Sequence, residues 1–525
     1  MAVSSKSEPA ELASGTLVDE LAALQKEWGI QFRPVSALLR TLASGPHQVE
    51  RLVGQSGLSH RSVMGILQRL QPWLEAGPGG YELPASVALE AADGGGEDRD
   101  SGRQVVSSLI EAAPPRRQRF DHVAATPDTC LRRARFLASR YWLSGARVVF
   151  LGDHDLTSLA LALLRTGART SVVDVDDELL EYIAGAAERL GVEVDCLFAD
   201  LRLGLPPALR ESADLVFTDP PYTPEGVRLF AGRGCQALRR DGRSRLLLCY
   251  GYGERQPALG FKIQAVLHEL RILIEEVQPQ FNRYTGAQAI GSASALYVTR
   301  PGSATWKLAD QEAAAPDRIY SHGPESIESH ERSLPGALRD RMAEPSPVAK
   351  LWRLSERHAA ARPVRRPPLP DVGTADLSLA PELAPRLLLT NRLNRIQLIL
   401  PNPEATALLD PDGWQARFFG SAYELRTVTN QGGLAIVEAQ RRHDEVEGAD
   451  ALARHLIDHP AATLGSSLRE GLTRAVPAMT QNQARVRLSR YPAIQAHREA
   501  RAADLPLYVL REVAELLVRL ARRSV

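Results

Sequence analysis

ARVVFLGD, residues 146–153, is a short apolar run closed by a glycine and an aspartate, and four later segments repeat the plan: TSVVDVDD (170–177), VEVDCLFAD (192–200), ADLVFTDPPY (213–222) and RSRLLLCYG (243–251). Continuous apolar runs of this length mark strands buried on both faces, as in parallel sheets. LTSLALALLRTG (156–167) and ELLEYIAGAAERLG (178–191) separate them with helical periodicity. Strands alternating with helices predict an α/β fold, a Rossmann-like doubly wound parallel sheet, over residues 105–302.

Upstream, residues 1–30 read as a disordered tail plus one short amphipathic helix, LVDELAALQKEW. Residues 31–90 carry three helical patterns (PVSALLRTLAS, HQVERLVGQSG and LSHRSVMGILQRLQPWL), then a Gly-rich tip in EAGPGGYEL. That order predicts a winged helix-turn-helix. Its third helix offers Arg61 and Arg69 but no dense basic face, so packing is expected of it, and nucleic acid is a possible but not favoured partner. AADGGGEDRDSG makes residues 91–104 a linker, and a Pro/Arg-rich stretch makes 303–380 another. Residues 381–525 mix strand-like RIQLILPN and LAIVEAQRR with amphipathic LYVLREVAELLVRLARR, predicting a separate C-terminal α+β domain of unassigned role.

The 525 residues call for several domains. Lys plus Arg and Asp plus Glu are 63 each, so attraction to a polyanion would need a local patch. No apolar stretch suffices for a membrane span, and MAVSSKSEPAELASG lacks the pattern of a secretory signal. The four scattered cysteines, with no CxxC, argue against a zinc site or disulfide framework. A cytoplasmic homodimer without membrane or metal is expected.

Ligands of open α/β sheets sit beyond the carboxyl ends of the strands, so the residues there carry the chemistry. The first end reads Gly152-Asp153-His154-Asp155-Leu156-Thr157-Ser158; Asp174 and Asp176 follow the second, Asp200 the third, and Asp219-Pro220-Pro221-Tyr222 the fourth. Asp174 has the spacing from Gly152 at which a carboxylate meets ribose hydroxyls, and Asp200 suits an adenine amino group. Each also reads as a helix N-cap.

The first loop has one glycine and two aspartates where a dinucleotide enzyme needs GxGxxG. Two carboxylates about 4 Å from another anion would cost on the order of several kcal/mol at an effective dielectric near 20. Asp153 and Asp155 are therefore expected to favour a ligand bearing an ammonium and no carboxylate, such as decarboxylated S-adenosylmethionine or a polyamine. In Asp219-Pro220-Pro221-Tyr222 the aspartate and the Pro220 carbonyl are expected to hold an amine nucleophile, with Tyr222 packed on the cationic centre. Asn282 and Tyr284 read either as closing over the acceptor or as a turn before SALYVTR. Arg132, Arg133 and Arg135 read as a solvated helix face.

Gly152–Ser158 resembles the GDDDLTS signature of the branched-chain polyamine synthases, or N4-bis(aminopropyl)spermidine synthases. Phe120-Asp121-His122 with Thr126-Pro127, Asp174-Val175-Asp176, Asp219–Thr223 and Phe281-Asn282-Arg283-Tyr284 follow in the same order. The resemblance spans roughly residues 30–302. His154 stands at an acidic position of the signature, and His122 where glutamine is expected. The resemblance implies an aminopropyltransferase that uses decarboxylated S-adenosylmethionine, acts on a polyamine-like acceptor and releases methylthioadenosine. Asp219 would hold the acceptor amine, Asp153 and Asp155 ammonium groups, Asp174 the ribose and Asp200 the adenine. Asp121, Asp176, Asn282 and Tyr284 would complete the binding set and Gly152 the turn. Two other readings are an S-adenosylmethionine-dependent amino-methyltransferase, acting on an amine or nucleic acid, and a non-catalytic regulator.

Overall fold

The computed structural model describes residues 16–83, 99–286, 290–311, 319, 338, 372–391, 393–476 and 478–521. The expected tail 1–15, most of the first linker and most of the Pro/Arg-rich stretch lie outside these residues.

Helix α1 (Leu17–Trp28) opens with a capping box between Thr16 and Asp19, which satisfies amides that the first turn leaves free. Helices α2 (Phe32–Ala43), α3 (Val49–Ser56) and α4 (His60–Leu70) follow, then an antiparallel hairpin of β1 (Glu75–Gly77) and β2 (Gly80–Glu82). Leu38, Leu42, Leu52 and Leu67 pack into a core of their own. This unit sits on the rest of the chain through Arg33, which donates to the carbonyls of Ala138 and Tyr141, and through Phe32 packed edge-on to Trp142. Arg69 is spent on Glu20 and Glu27, leaving it little to offer a phosphate.

Helix α5 (Arg99–Ala112) begins inside the expected linker 91–104. β3 (Ala124–Ala125) and α6 (Pro127–Arg140) lead into β4 (Arg147–Leu151), α7 (Thr157–Leu163), β5 (Arg169–Asp174), α8 (Asp177–Leu190), β6 (Val194–Phe198) and β7 (Leu215–Thr218). Then come α9 (Pro224–Ala237), β8 (Arg245–Tyr250), α10 (Pro257–Glu269), β9 (Leu273–Thr285), β10 (Ala293–Arg300) and α11 (Ser303–Gln311). Their eight-stranded sheet runs β3-β9-β10-β8-β7-β4-β5-β6. Strands β4 to β8 are parallel, while β10, β9 and β3 extend one edge antiparallel. The sheet is thus mixed and mostly parallel, not parallel throughout. The chain runs outward from β4 through β5 to β6, then returns to β7 on the other side. That reversal opens a crevice at the carboxyl ends of β4 and β7.

α11 lies within residues 303–380 and packs on α9, where Gln236 donates to the Ala309 carbonyl over 2.6 Å. Strand β11 (Val372–Asp376) lies there too; it joins β12 (Arg395–Pro401), β14 (Leu434–Arg441) and β13 (Tyr423–Gln431) in a four-stranded sheet. This C-terminal α+β region is not separate from the Rossmann-like part, because one continuous apolar core runs through both. Arg386, fully buried, is shared between Asp177 of α8 (3.0 Å) and the Leu505 carbonyl (2.8 Å). No helix among the described residues is long and apolar enough to cross a membrane.

Candidate active site

At the end of β4 the backbone turns through Gly152, whose φ of +72° a side chain would strain. Asp153 then caps α7: its Oδ1 accepts from the Thr157 amide (2.9 Å) and its Oδ2 from the Ser158 amide (3.0 Å). Asp155 accepts from the Ala125 amide and from Arg133, each over 2.7 Å. Leu156, with φ +59°, is an outlier for a bulky side chain and leads the loop from Asp155 into α7. Both carboxylates are buried, and neither lines the crevice. The expectation that Asp153 and Asp155 face a ligand's ammonium group is therefore corrected. One is a helix cap and the other a buried ion pair.

The crevice is acidic for a different reason. Asp121, Asp174, Asp200 and Asp219 line it with His122 and His154, and no Lys or Arg is among the described lining residues. Asp174 is held by the amides of Asp153 (3.2 Å) and Asp176 (2.9 Å). Burial nonetheless pushes it up to about 6. Asp200 is forked by Arg202 at 2.6 Å, so any further donor would have to share that carboxylate. Asp176 caps α8 and pairs with Arg117 at 3.0 Å; it faces away from the crevice, as the capping alternative had it. Asp121 enters with φ +55° directly after Phe120, which also lines the space.

Beneath the crevice floor lies a cluster in which the overlooked residue is Arg133. It is 1% exposed, and its guanidinium reaches Asp155 (2.7 Å), Asp219 (2.5 Å), Asn282 Oδ1 (2.8 Å) and Tyr284 (3.2 Å). Arg132 and Arg135 face solvent as expected, but Arg133 does not. The missed signal is its place beside Cys130, Ala134 and Leu137, the buried stripe of α6. Asn282 and Tyr284 sit within strand β9, not in a turn, and Asn282 is fully buried behind Arg133.

Asp219 Oδ1 accepts from Tyr222 (2.9 Å) and Oδ2 from Tyr284 (2.7 Å), while the two phenol oxygens stand 2.8 Å apart. Tyr284 also meets Ser294 Oγ at 2.8 Å and accepts from Arg133, so the phenols that hold Asp219 belong to one buried hydroxyl network. Gly226 makes this loop possible: a Cβ there would stand 2.7 Å from the Pro221 carbonyl.

His122 and His154 stack with ring centres 4.6 Å apart. His154 donates to the Val123 carbonyl over 2.8 Å. Burial opposes its protonation, but the Asp155 charge and that carbonyl outweigh it, so its proton is held more firmly than usual. Burial, reinforced by the charge of His154, drives His122 well the other way. Of the two stacked rings, His154 is therefore the more basic and His122 the less basic.

The crevice encloses about 50 Å³, far below the roughly 300–1,000 Å³ of a ligand-sized pocket. A ligand of nucleoside size would fit only with a wall parted. Ile319 contributes to that wall, and its carbonyl accepts from Thr223 Oγ1 over 2.6 Å.

Asp153→Asn tests the corrected role. Burial pushes this carboxyl up to about 7, so the folded chain holds a proton there that the unfolded chain has lost. The resulting stability is full at acid pH and fades as pH rises through about 7. The variant is expected to flatten that pH dependence in denaturation curves and to weaken a carboxylate-free donor and its thioether product alike. Selective loss of the donor would restore Asp153 to the pocket.

Residues 103–307 match the family described as branched-chain polyamine synthase A C-terminal domain. The N(4)-bis(aminopropyl)spermidine synthase of Thermococcus kodakarensis is 36% identical over 178 residues, 33% of this chain and 49% of that protein. The Thermus thermophilus enzyme of the same name is 33% identical over 210 residues, 38% of this chain and 60% of its own. An uncharacterized protein of Methanocaldococcus jannaschii is 36% identical over 181 residues, 34% of this chain and 45% of its own length. The matched part thus spans about half the length of these relatives. The solved branched-chain polyamine synthase C9 mutein of Thermus thermophilus, in complex with N4-aminopropylspermidine and 5'-methylthioadenosine, is 24% identical. It covers 59% of this chain and 98% of its own, with a TM-score of 0.38.

Proposed function

We propose, from a chain whose residues 103–307 match the model of the branched-chain polyamine synthase A C-terminal domain, that it transfers an aminopropyl group from decarboxylated S-adenosylmethionine to an amine of a polyamine-like acceptor. The observation that carries this reading is the crevice lining: Asp121, Asp174, Asp200 and Asp219 face it, and although Arg202 and Arg133 meet the last two from outside, no Lys or Arg is among the described lining residues. Such walls attract a sulfonium that bears an ammonium, and they disfavour a donor that also bears a carboxylate.

In this reading Asp174 accepts from the ribose hydroxyls, and Asp200 shares its carboxylate between Arg202 and the adenine amino group. Asp219 and the Pro220 carbonyl accept the hydrogens of the acceptor nitrogen and aim its lone pair. That nitrogen attacks the aminopropyl carbon bonded to sulfur as the C–S electrons return to sulfur. Methylthioadenosine leaves, and the new ammonium passes its proton to Asp219. Tyr222, fixed by its bond to Asp219, lines the reacting centre. Arg133 holds Asp219 in place, and alignment supplies most of the acceleration.

The enzyme is read as a cytoplasmic homodimer whose N-terminal helices and hairpin form a winged helix used for packing. The engagement of Arg69 supports packing over nucleic acid. Thermal shift tests the donor: the decarboxylated donor should bind about tenfold or more tighter than S-adenosylmethionine, the effect of one added anion near these aspartates. Equal stabilisation by both would favour the amino-methyltransferase.

A further inference from the structure

A second cavity, of about 570 Å³, lies where the Rossmann-like part meets the C-terminal region. Arg117, Arg119, Asp177 and Glu178 form one wall, and Ser378, Glu382 and Glu404 stand opposite. Both guanidiniums are already committed: Arg117 to Asp176 (3.0 Å) and Glu178 (2.9 Å), Arg119 to Glu382 (3.2 Å). The same pairs occupy Glu178 and Glu382, and Asp177 meets Arg386 at 3.0 Å, so among the described lining carboxylates Glu404 is the one with no ion pair. Leu379, Pro381, Leu400 and Leu408 give the space an apolar floor. Two wall residues also carry oxygens that find no partner among the described residues: Ser378 Oγ, on a side chain 9% exposed, and Asp177 Oδ2. Unmet buried acceptors, net negative charge and an apolar floor match methylene chains ended by ammonium groups.

We infer that this cavity binds a linear aliphatic polyamine, apart from any acceptor held at Asp219. The cavity is tied to the catalytic crevice. Val175 lines both spaces, and the Arg119 guanidinium lies 4.4 Å from the centre of the Phe120 ring, which also lines the crevice.

Equilibrium dialysis of spermidine against the full chain tests this. An uncharged diol of similar length serves as control, and circular dichroism checks folding. Asp219→Asn should keep one spermidine site. Glu404→Gln, at an exposed helical position, should weaken that site about fivefold, the scale of a solvent-screened ion pair. Ser378→Leu, which fills the space, should weaken it more, and both variants should bind methylthioadenosine as the parent does. Loss of all spermidine binding in Asp219→Asn, binding unchanged by Ser378→Leu, or equal binding of the diol would each overturn the inference. Spermidine binding unaffected by Asp219→Asn but abolished by Ser378→Leu would uphold the cavity while removing Asp219 as an acceptor site.

Discussion

Asp219→Asn is expected to lower aminopropyl transfer by about a thousandfold or more, the scale for losing one preorganised polar group at a reacting centre, while methylthioadenosine binding stays within about tenfold. The carboxylate accepts from Arg133, Tyr222 and Tyr284 at once. An amide in its place retains one oxygen and turns an NH2 toward groups that are themselves donors. The acceptor nitrogen then loses both its anchor and the geometry of the loop. The nucleoside contacts proposed for Asp174 and Asp200 lie on other strand ends and should survive. Steady-state kinetics with a methylthioadenosine binding assay decides it, and near-normal turnover would remove Asp219 from its assigned role.

Arg133→Met is expected to destabilise the fold by about 3–5 kcal/mol, the scale for breaking a buried pair from one side. Asp155 and Asp219 both face this guanidinium, at 2.7 and 2.5 Å. Without it, two buried carboxylates lie in a low-dielectric core uncompensated, and Asn282 loses the donor to its oxygen. Burial would then favour the protonated form of Asp155 more in the folded than in the unfolded chain. The variant should regain stability as pH falls and lose it as pH rises. Arg133→Lys should fall between, since one ammonium cannot serve Asp155, Asp219 and Asn282 in a fixed fork. Chemical denaturation across pH measures this, and a methionine variant as stable as the parent would show the cation to be dispensable.

The parallel strands were legible because strands buried on both faces must be apolar throughout, and the residues at their ends then follow from topology alone. Asp174, Asp200 and Asp219 were found in that way and do line one crevice. Asp153, Asp155 and Asp176 occupy equivalent places in the sequence, yet two cap helices and one meets a buried arginine. An aspartate after a strand has the same local signature whether its oxygens turn to a ligand or to the next helix, and only packing separates the cases. Arg133 was hidden by its neighbours Arg132 and Arg135, which do face water. Strand β9, with its polar residues, Pro279 and alternating exposure, lacks the apolar run that marked the others. The docking of the C-terminal region depends on contacts such as Arg386 to Asp177, which lie 209 positions apart.

The acidity of the crevice, and through it the choice of donor, is the centre of this account. Mass spectrometry of products formed from a panel of linear amines, with decarboxylated S-adenosylmethionine and S-adenosylmethionine supplied separately, tests it most directly. The account predicts aminopropylated amine and methylthioadenosine from the first donor and no product from the second. Methylated amine formed from S-adenosylmethionine, with nothing from the decarboxylated donor, would contradict it.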